Sequence, residues 1–259
     1  MLALCFLYVP ILMVIVNSVN GDRALVSWGG FTTRWYHQAV TDPQVRGPFV
    51  TSIEIALIST ALSLVLAVSA GLWWRGASPR QRAVLNGLTG MRIMLPEVVT
   101  AVAMFLFFKK TGLALGTTAV IVGHVVFNSA YATVIIQARL STMDMTLEEA
   151  ASDLGARPWR AFRRVTLPML APAILVAALL ALIFSFDDVI TSLFLAGAQT
   201  ETLPLLLFGL IRFQVTPEVN AIGSGVMLIT AVTFMLAVLA SRFGSARIAT
   251  MIGFGGESA

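Results

Sequence analysis

A chain of 259 residues that is 58% hydrophobic and only 12% charged is not a water-soluble globule. Soluble domains carry about 25% charged residues, and apolar surface on this scale is tolerated only against lipid. The net charge of +4 is dispersed between apolar stretches, which argues against a nucleic-acid footprint, and the single cysteine, Cys5, excludes an intramolecular disulfide.

Six apolar stretches follow in chain order, about 1–19, 49–74, 83–108, 116–138, 171–195 and 221–241. Each is long enough to cross a ~30 Å hydrocarbon core as a helix. The expectation is an all-α integral membrane protein of six transmembrane helices, one transmembrane domain over 1–259, with nothing left for a soluble catalytic domain. The segment 1–19 lacks a basic n-region and an A-x-A-like site, so it reads as an uncleaved span.

Lys and Arg set the orientation. Ten lie in one set of loops: Arg75, Arg80, Arg82, Arg139, Arg157, Arg160, Arg163, Arg164, Arg242 and Arg247. Six lie in the other: Arg23, Arg34, Arg46, Lys109, Lys110 and Arg212; Arg92 falls within the third stretch. The richer side is cytoplasmic, which places both termini inside. Between the first two spans, Trp28, Phe31, Trp35 and Tyr36 form either an interfacial aromatic belt or part of a short external helix.

The cytoplasmic loop over about 139–170 holds EAASDLGARPWRAFRRVTLP. Leu147, Ala150, Ala151 and Leu154 recur at helical spacing among Glu148, Glu149 and Asp153. Thr146 with Glu149 has the spacing of a capping box. Gly155 is placed to stop that helix and Pro158 to open a second one. The product is a helix–turn–helix knob, suited either to a groove on a soluble partner or, through its arginines, to anionic headgroups.

These residues resemble the EAA loop of ABC importer permeases: Glu149, Ala150, Ala151, then Gly155 six positions after the glutamate, then Leu167 and Pro168. The resemblance implies the fold of methionine- and maltose-type (type I) importers and a knob that docks on a separate ATPase. It implies Glu149, Ala150, Ala151, Asp153, Gly155, Ala156 and Pro168 as coupling residues. ATP and Mg would be bound by the partner. The chain itself has no P-loop, since Lys109 and Lys110 follow no glycine, and no His/Cys cluster for a metal.

Four carboxylates lie in or at the ends of spans: Glu54, Glu97, Asp187 and Asp188. Buried charge is expensive and marks function by default. On straight helices Asp187 stands ~24 Å and Glu97 ~21 Å above the cytoplasmic starts of their spans, at the outer mouth of a route. Adjacent aspartates project ~100° apart, so one faces the route and the other is placed to cap a helix break before Val189. Such a mouth favours a cationic passenger. His124 and Asn128 share one face of the fourth helix, suited to interhelical hydrogen bonds; Asn128 could instead line the route, with Tyr131 stacking on a cation.

The runs SFDDVITSLFLAG and LPLLLFGLIRFQVTPEVNAIG, with GFTTRWY, LPEVVTA and DLGA, resemble spermidine/putrescine-type permeases. That implies polyamine import in the bacterial inner membrane with a second permease as heterodimer, an ATPase homodimer and an external substrate-binding protein. Related permeases for amino-acid derivatives, metal chelates or sugars share much of the pattern. An ion-coupled carrier would leave the EAA loop unexplained, and an intramembrane enzyme would need a nucleophile or metal constellation in the spans. A cysteine introduced at Ser152 is expected to react only with reagent supplied from the cytoplasm, and one at Thr200 only with reagent supplied outside. Labelling of both from one side would break the six-span topology.

Overall fold

The computed structural model describes residues 2–251 and, of the side chains, those of residue 6 and residues 8–239. Cys5, Arg242 and Arg247, together with the chain termini, therefore lie outside the described side chains. Twelve α-helices follow one another: α1 (Leu2–Ser18), α2 (Arg34–Thr41), α3 (Pro43–Gly76), α4 (Pro79–Met94), α5 (Glu97–Thr111), α6 (Thr117–Ser141), α7 (Thr146–Asp153), α8 (Pro158–Ala161), α9 (Leu167–Phe186), α10 (Ile190–Leu195), α11 (Leu203–Phe213) and α12 (Pro217–Met251). A π-helical turn, Phe162–Thr166, joins α8 to α9. Among the described residues there is no strand beyond one isolated bridge, Asn20 to Phe31.

Among the described residues four helical segments are long and apolar enough to cross a membrane: Pro43–Gly76, Thr117–Ser141, Pro158–Phe186 and Pro217–Leu239. A fifth arises if α4 and α5 count as one broken span. Two expected spans are thus corrected. The stretch 83–108 is divided at Leu95–Pro96, because Pro96 has no N–H and restricts the residue before it. The stretch 171–195 ends its long helix at Phe186 and resumes as the short α10. Glu97 consequently opens α5 instead of standing part-way up a continuous helix.

The chain forms two compact units, one comprising residues up to Ala56, Glu97–Ile121 and Phe186–Val232, the other Leu57–Pro96, Val122–Ser185 and the residues from Thr233 onward. In the first, Ile55, Phe108, Ala119, Val120, Leu195 and Ala196 form the core. In the second it is Ala67, Ala132, Ile136, Leu140, Met143, Leu170 and Ala177. Large apolar side chains such as Leu62, Leu66, Phe107, Val126 and Leu228 stay exposed, as a lipid-facing surface requires.

The loop after α1 is more ordered than an interfacial belt requires. Trp35 is buried and its Nε1 donates to Asn20 O at 2.8 Å, while the Tyr36 hydroxyl meets Ser18 Oγ at 2.7 Å. Asp22 accepts the N–H groups of Ala24, Val26 and Ser27, and these bonds, led by that of Ser27, hold its carboxyl below the usual range. Trp28 and Phe31 remain exposed. The four aromatics thus split between a short helix anchored from within and an outward apolar pair.

Helix starts follow local chemistry. Ser78 and Gln81 form a reciprocal capping box ahead of Pro79, so each satisfies an amide that the helix leaves free. The box expected at Thr146 does not form: Met145 occupies the cap position, and Asp144 Oδ1 takes the Thr146 N–H at 2.9 Å instead. That bond also keeps the Asp144 carboxyl below its usual range.

In the second unit α3 lies close against α6 at Gly71. A Cβ there would stand 2.7 Å from Ile136 Cγ2 and 3.0 Å from Leu140 Cδ1, and both side chains are buried. Gly71→Leu is expected to cost about 1–3 kcal/mol through overpacking, read as a fall of several degrees in the apparent unfolding temperature in detergent, with Gly87→Leu, where space is open, as the control.

Candidate functional site

The helix–turn–helix knob expected to couple to an ATPase lies wholly in the second unit. Helix α7 ends at Asp153 and the chain turns at Gly155, whose φ is +79°. That left-handed conformation strains any side chain with a Cβ. Arg157 leads into α8, where Pro158 stands at the first helical position, since its missing N–H is not needed there. The second arm of the knob is not a separate helix: α8, the π turn and α9 run on without interruption over Pro158–Phe186. Leu167 N–H bonds to Phe162 O in π register directly before Pro168, which has no N–H to give an α-helical ladder.

Glu149, Ala150, Asp153, Gly155 and Pro168 are exposed, whereas Ala151 and Ala156 are partly covered. Leu154 and Trp159 project from the knob at 89% and 70% exposure, and Trp159 lies against Phe162 with ring centroids 5.4 Å apart. Apolar groups this exposed suit a protein groove better than the inside of a single chain.

One carboxylate here escaped the sequence reading. Glu148 Oε1 accepts from Arg75 Nη1 at 2.7 Å and from Thr166 Oγ1 at 2.6 Å. The pair is 73 residues apart in the chain, so no local spacing announces it. The only sequence signal is two adjacent glutamates, one of them beyond the motif.

All four acids expected along the route fall in the first unit, but they are not equivalent. Asp188 is 9% exposed and its Oδ1 accepts the Thr191 N–H at 2.7 Å. It supplies the acceptor that α10 would otherwise lack at its start, as expected for one of the two aspartates. Thr191 Oγ1 in turn donates to Glu97 Oε1 at 3.5 Å, so this buried threonine joins Asp188 and Glu97. Asp187 is the exposed member of the pair and receives the Thr230 hydroxyl on both oxygens, at 3.2 and 3.0 Å. Glu54 lies exposed on α3. The three acids of the broken spans are therefore hydrogen-bonded and not bare.

In the second unit, His124 Nδ1 meets Ser185 Oγ at 2.6 Å and Ser185 meets Ser59 at 2.9 Å. Asn128 Nδ2 donates to Ala181 O at 3.3 Å and is 1% exposed. Both residues thus make the interhelical bonds that their shared face allows. Tyr131 packs with Phe127 and Phe184, at 5.0 and 5.4 Å between centroids, and the Arg92 guanidinium lies 4.8 Å over Phe127. A protein cation already uses this aromatic cluster. Among the described residues no group of His, Cys, Asp and Glu has the geometry for a metal.

Residues 63–249, which contain the knob and Asp187 and Asp188, match the family described as binding-protein-dependent transport system inner membrane component. The chain belongs to this family. It is a transport component, not an enzyme, and a multi-pass protein of the bacterial inner membrane. Among its relatives is the spermidine/putrescine transport system permease protein PotC of Haemophilus influenzae, 32% identical over 92% of either chain. Another is the putrescine transport system permease protein PotI of Escherichia coli, 34% identical over 86% of this chain and 82% of PotI. Two solved structures share the permease's fold. The inward facing MetNI methionine ABC transporter has a TM-score of 0.62 at 19% identity, covering 77% of this chain and 95% of its own. A bacterial ABC transporter involved in the import of the acidic polysaccharide alginate has 0.66 at 19%, covering 92% of this chain and 91% of its own. The ion-coupled carrier and the intramembrane enzyme are thereby set aside.

The turn at Gly155 generates a direct expectation. Gly155→Arg places a side chain at φ +79° with open space around it, so it strains the turn by about 1–3 kcal/mol and blocks the knob's outward face without crowding this chain. The permease should still insert, while stimulation of ATP hydrolysis by the loaded binding protein is lost in the assembled transporter. Normal stimulation would remove the knob from the coupling route.

Proposed function

We propose that this permease forms half of a polyamine pathway, with spermidine and putrescine as the substrate class, and that its EAA knob couples the pathway to a separate ATPase. The observation that carries the reading is the collection of four acids in the first unit, with Asp187 exposed just after the end of α9. The names and extents of the similar permeases PotC and PotI support the substrate class. In this reading the single domain 1–259 crosses the membrane six times with both termini cytoplasmic, α1 and the broken α4–α5 pair being counted as spans. It works with a second permease, an ATPase homodimer that binds ATP and Mg, and an external binding protein.

The electrostatics favour transient contact. Two unit charges 4 Å apart attract by about 4 kcal/mol at an effective dielectric of 20, enough to direct a spaced diamine along acids on different helices without trapping it. Asp187 is the acid that meets the passenger. Asp188 and Glu97 shape the break through Thr191 and Glu54 stands at the entrance; in the other unit Asn128 acts by holding α6 to α9, and Tyr131 is an aromatic face that a cation could use.

The decisive experiment compares Asp187→Asn, Asp188→Asn and Glu97→Gln in transporters that assemble and hydrolyse ATP. Asp187→Asn should lower putrescine uptake by at least about tenfold, equivalent to ~1.4 kcal/mol. Asp188→Asn keeps a side-chain acceptor for Thr191 N–H and should do less. Wild-type putrescine and spermidine uptake in all three variants would refute an acidic route and favour a neutral passenger.

A further inference from the structure

The knob must pass motion to the spanning helices, and the second unit contains a specific connection for doing so. Arg75 lies in the last turn of α3, where unpaired carbonyls leave partial negative charge, and Glu148 in the first turn of α7, where free N–H groups leave partial positive charge. Each side chain therefore favours its own helix end before the two meet. Their contact, Nη1 to Oε1 at 2.7 Å, is partly shielded, the side chains being 13% and 24% exposed. The same carboxylate oxygen takes the hydroxyl of Thr166, which is 3% exposed and is the last residue of the π turn before α9. Arg75 Nη2 also reaches the Met145 sulfur just before α7.

One carboxylate thus joins three elements: the end of α3, the start of α7 and the root of α9. Its anchors are themselves fixed. Arg82 donates to the carbonyls of Trp74 and Arg75, closing the end of α3, and Gly71 seats α3 against Ile136 and Leu140. Beside the pair lies a cleft of about 730 Å³ lined by Ser69, Leu72, Trp159 and Phe162, among others. Where space replaces close packing, the polar tie carries the mechanical connection.

We propose that Glu148, clamped by Arg75 and Thr166, is the positioning residue that transmits movement of the knob to α3 and α9. It sets how much substrate moves per ATP hydrolysed, and it sets neither substrate choice nor attachment of the ATPase. This rests on the coupling role of the knob but assigns the transmission to a residue outside the family motif.

The test uses the complete transporter in liposomes with its binding protein, measuring putrescine taken up per ATP hydrolysed alongside basal hydrolysis and ATPase co-purification. Thr166→Val and Glu148→Gln should each lower the ratio by at least about fivefold, the lower end of usual coupling factors, with basal hydrolysis and co-purification unchanged. Thr166→Ser, which keeps the hydroxyl, should restore it. Arg75→Glu and Glu148→Arg should each reduce the ratio, and the double reversal should recover part of it, since the Thr166 hydroxyl can accept from an arginine as readily as it donates to a glutamate. A wild-type ratio in Thr166→Val and Glu148→Gln, or a reversal no better than its worse single variant, overturns the clamp. Loss of the ATPase from these variants overturns it too, by making Glu148 a docking residue. Gly155→Arg run in parallel separates the two levels: normal stimulation there removes the knob reading and the clamp together, whereas lost stimulation with wild-type clamp variants removes the clamp alone.

Discussion

Within hydrocarbon, a backbone N–H or C=O that loses its helical partner has no water to turn to, and each such loss costs several kcal/mol. That constraint explains why this chain is built from helices and why its interruptions are so specifically furnished. At Asp187–Val189 the ladder stops, and Asp188 supplies an acceptor to Thr191 N–H as α10 begins. Thr191 then passes its own hydroxyl to Glu97, at the start of α5. The same cost operates in reverse at the knob, where Pro168 cannot donate and the chain shifts to π register just ahead of it. Polar side chains in the spans are thus first a solution to a backbone problem. Asp187, by contrast, receives a side-chain hydroxyl, that of Thr230, and is the acid assigned to the passenger in the proposed route.

This ordering separates what could be read from the sequence from what could not. Gly155 and Pro158 were legible because each dictates its own backbone: one takes φ +79°, the other occupies the first position of α8. The break near Asp188 was legible only in part: the adjacent aspartates pointed to a capped helix break before Val189, while hydropathy ran on over 171–195 as one span. The capping box at Thr146 was misread because Asp144, outside the motif, competes for the same amide and takes it. The division at Leu95–Pro96 was hidden by hydropathy, which is continuous across it and records composition, not backbone continuity.

Long-range partners were beyond sequence reading. His124 and Asn128 visibly share a helix face, yet nothing local names Ser185 and Ala181 as their partners. The tie of Glu148 to Arg75 and Thr166 spans 73 and 18 residues, and its residue types are ordinary in a polar loop. Trp35 and Tyr36 fitted either an interfacial belt or a short helix; they lie in α2, where burial of the indole and its bond to Asn20 O make them anchors of a folded loop. Trp28 and Phe31 kept the expected exposure. Aromatic residues at an interface have this double use because one end is apolar and the other polar.

The uninterrupted helix from Pro158 to Phe186 has a geometric consequence. Its 29 residues make a rod of ~43 Å at 1.5 Å per residue, with the knob's second arm as one end and the acid-bearing break just past the other. A rod of that length magnifies angle into distance: tilting it by ~10° about one end sweeps the other through ~7 Å, on the order of one helical turn. The π turn lies near the short end, where compliance costs the least lost travel. Gearing of this kind needs no large rearrangement at the site of force, only a stiff shaft and a bearing close to where the push is applied.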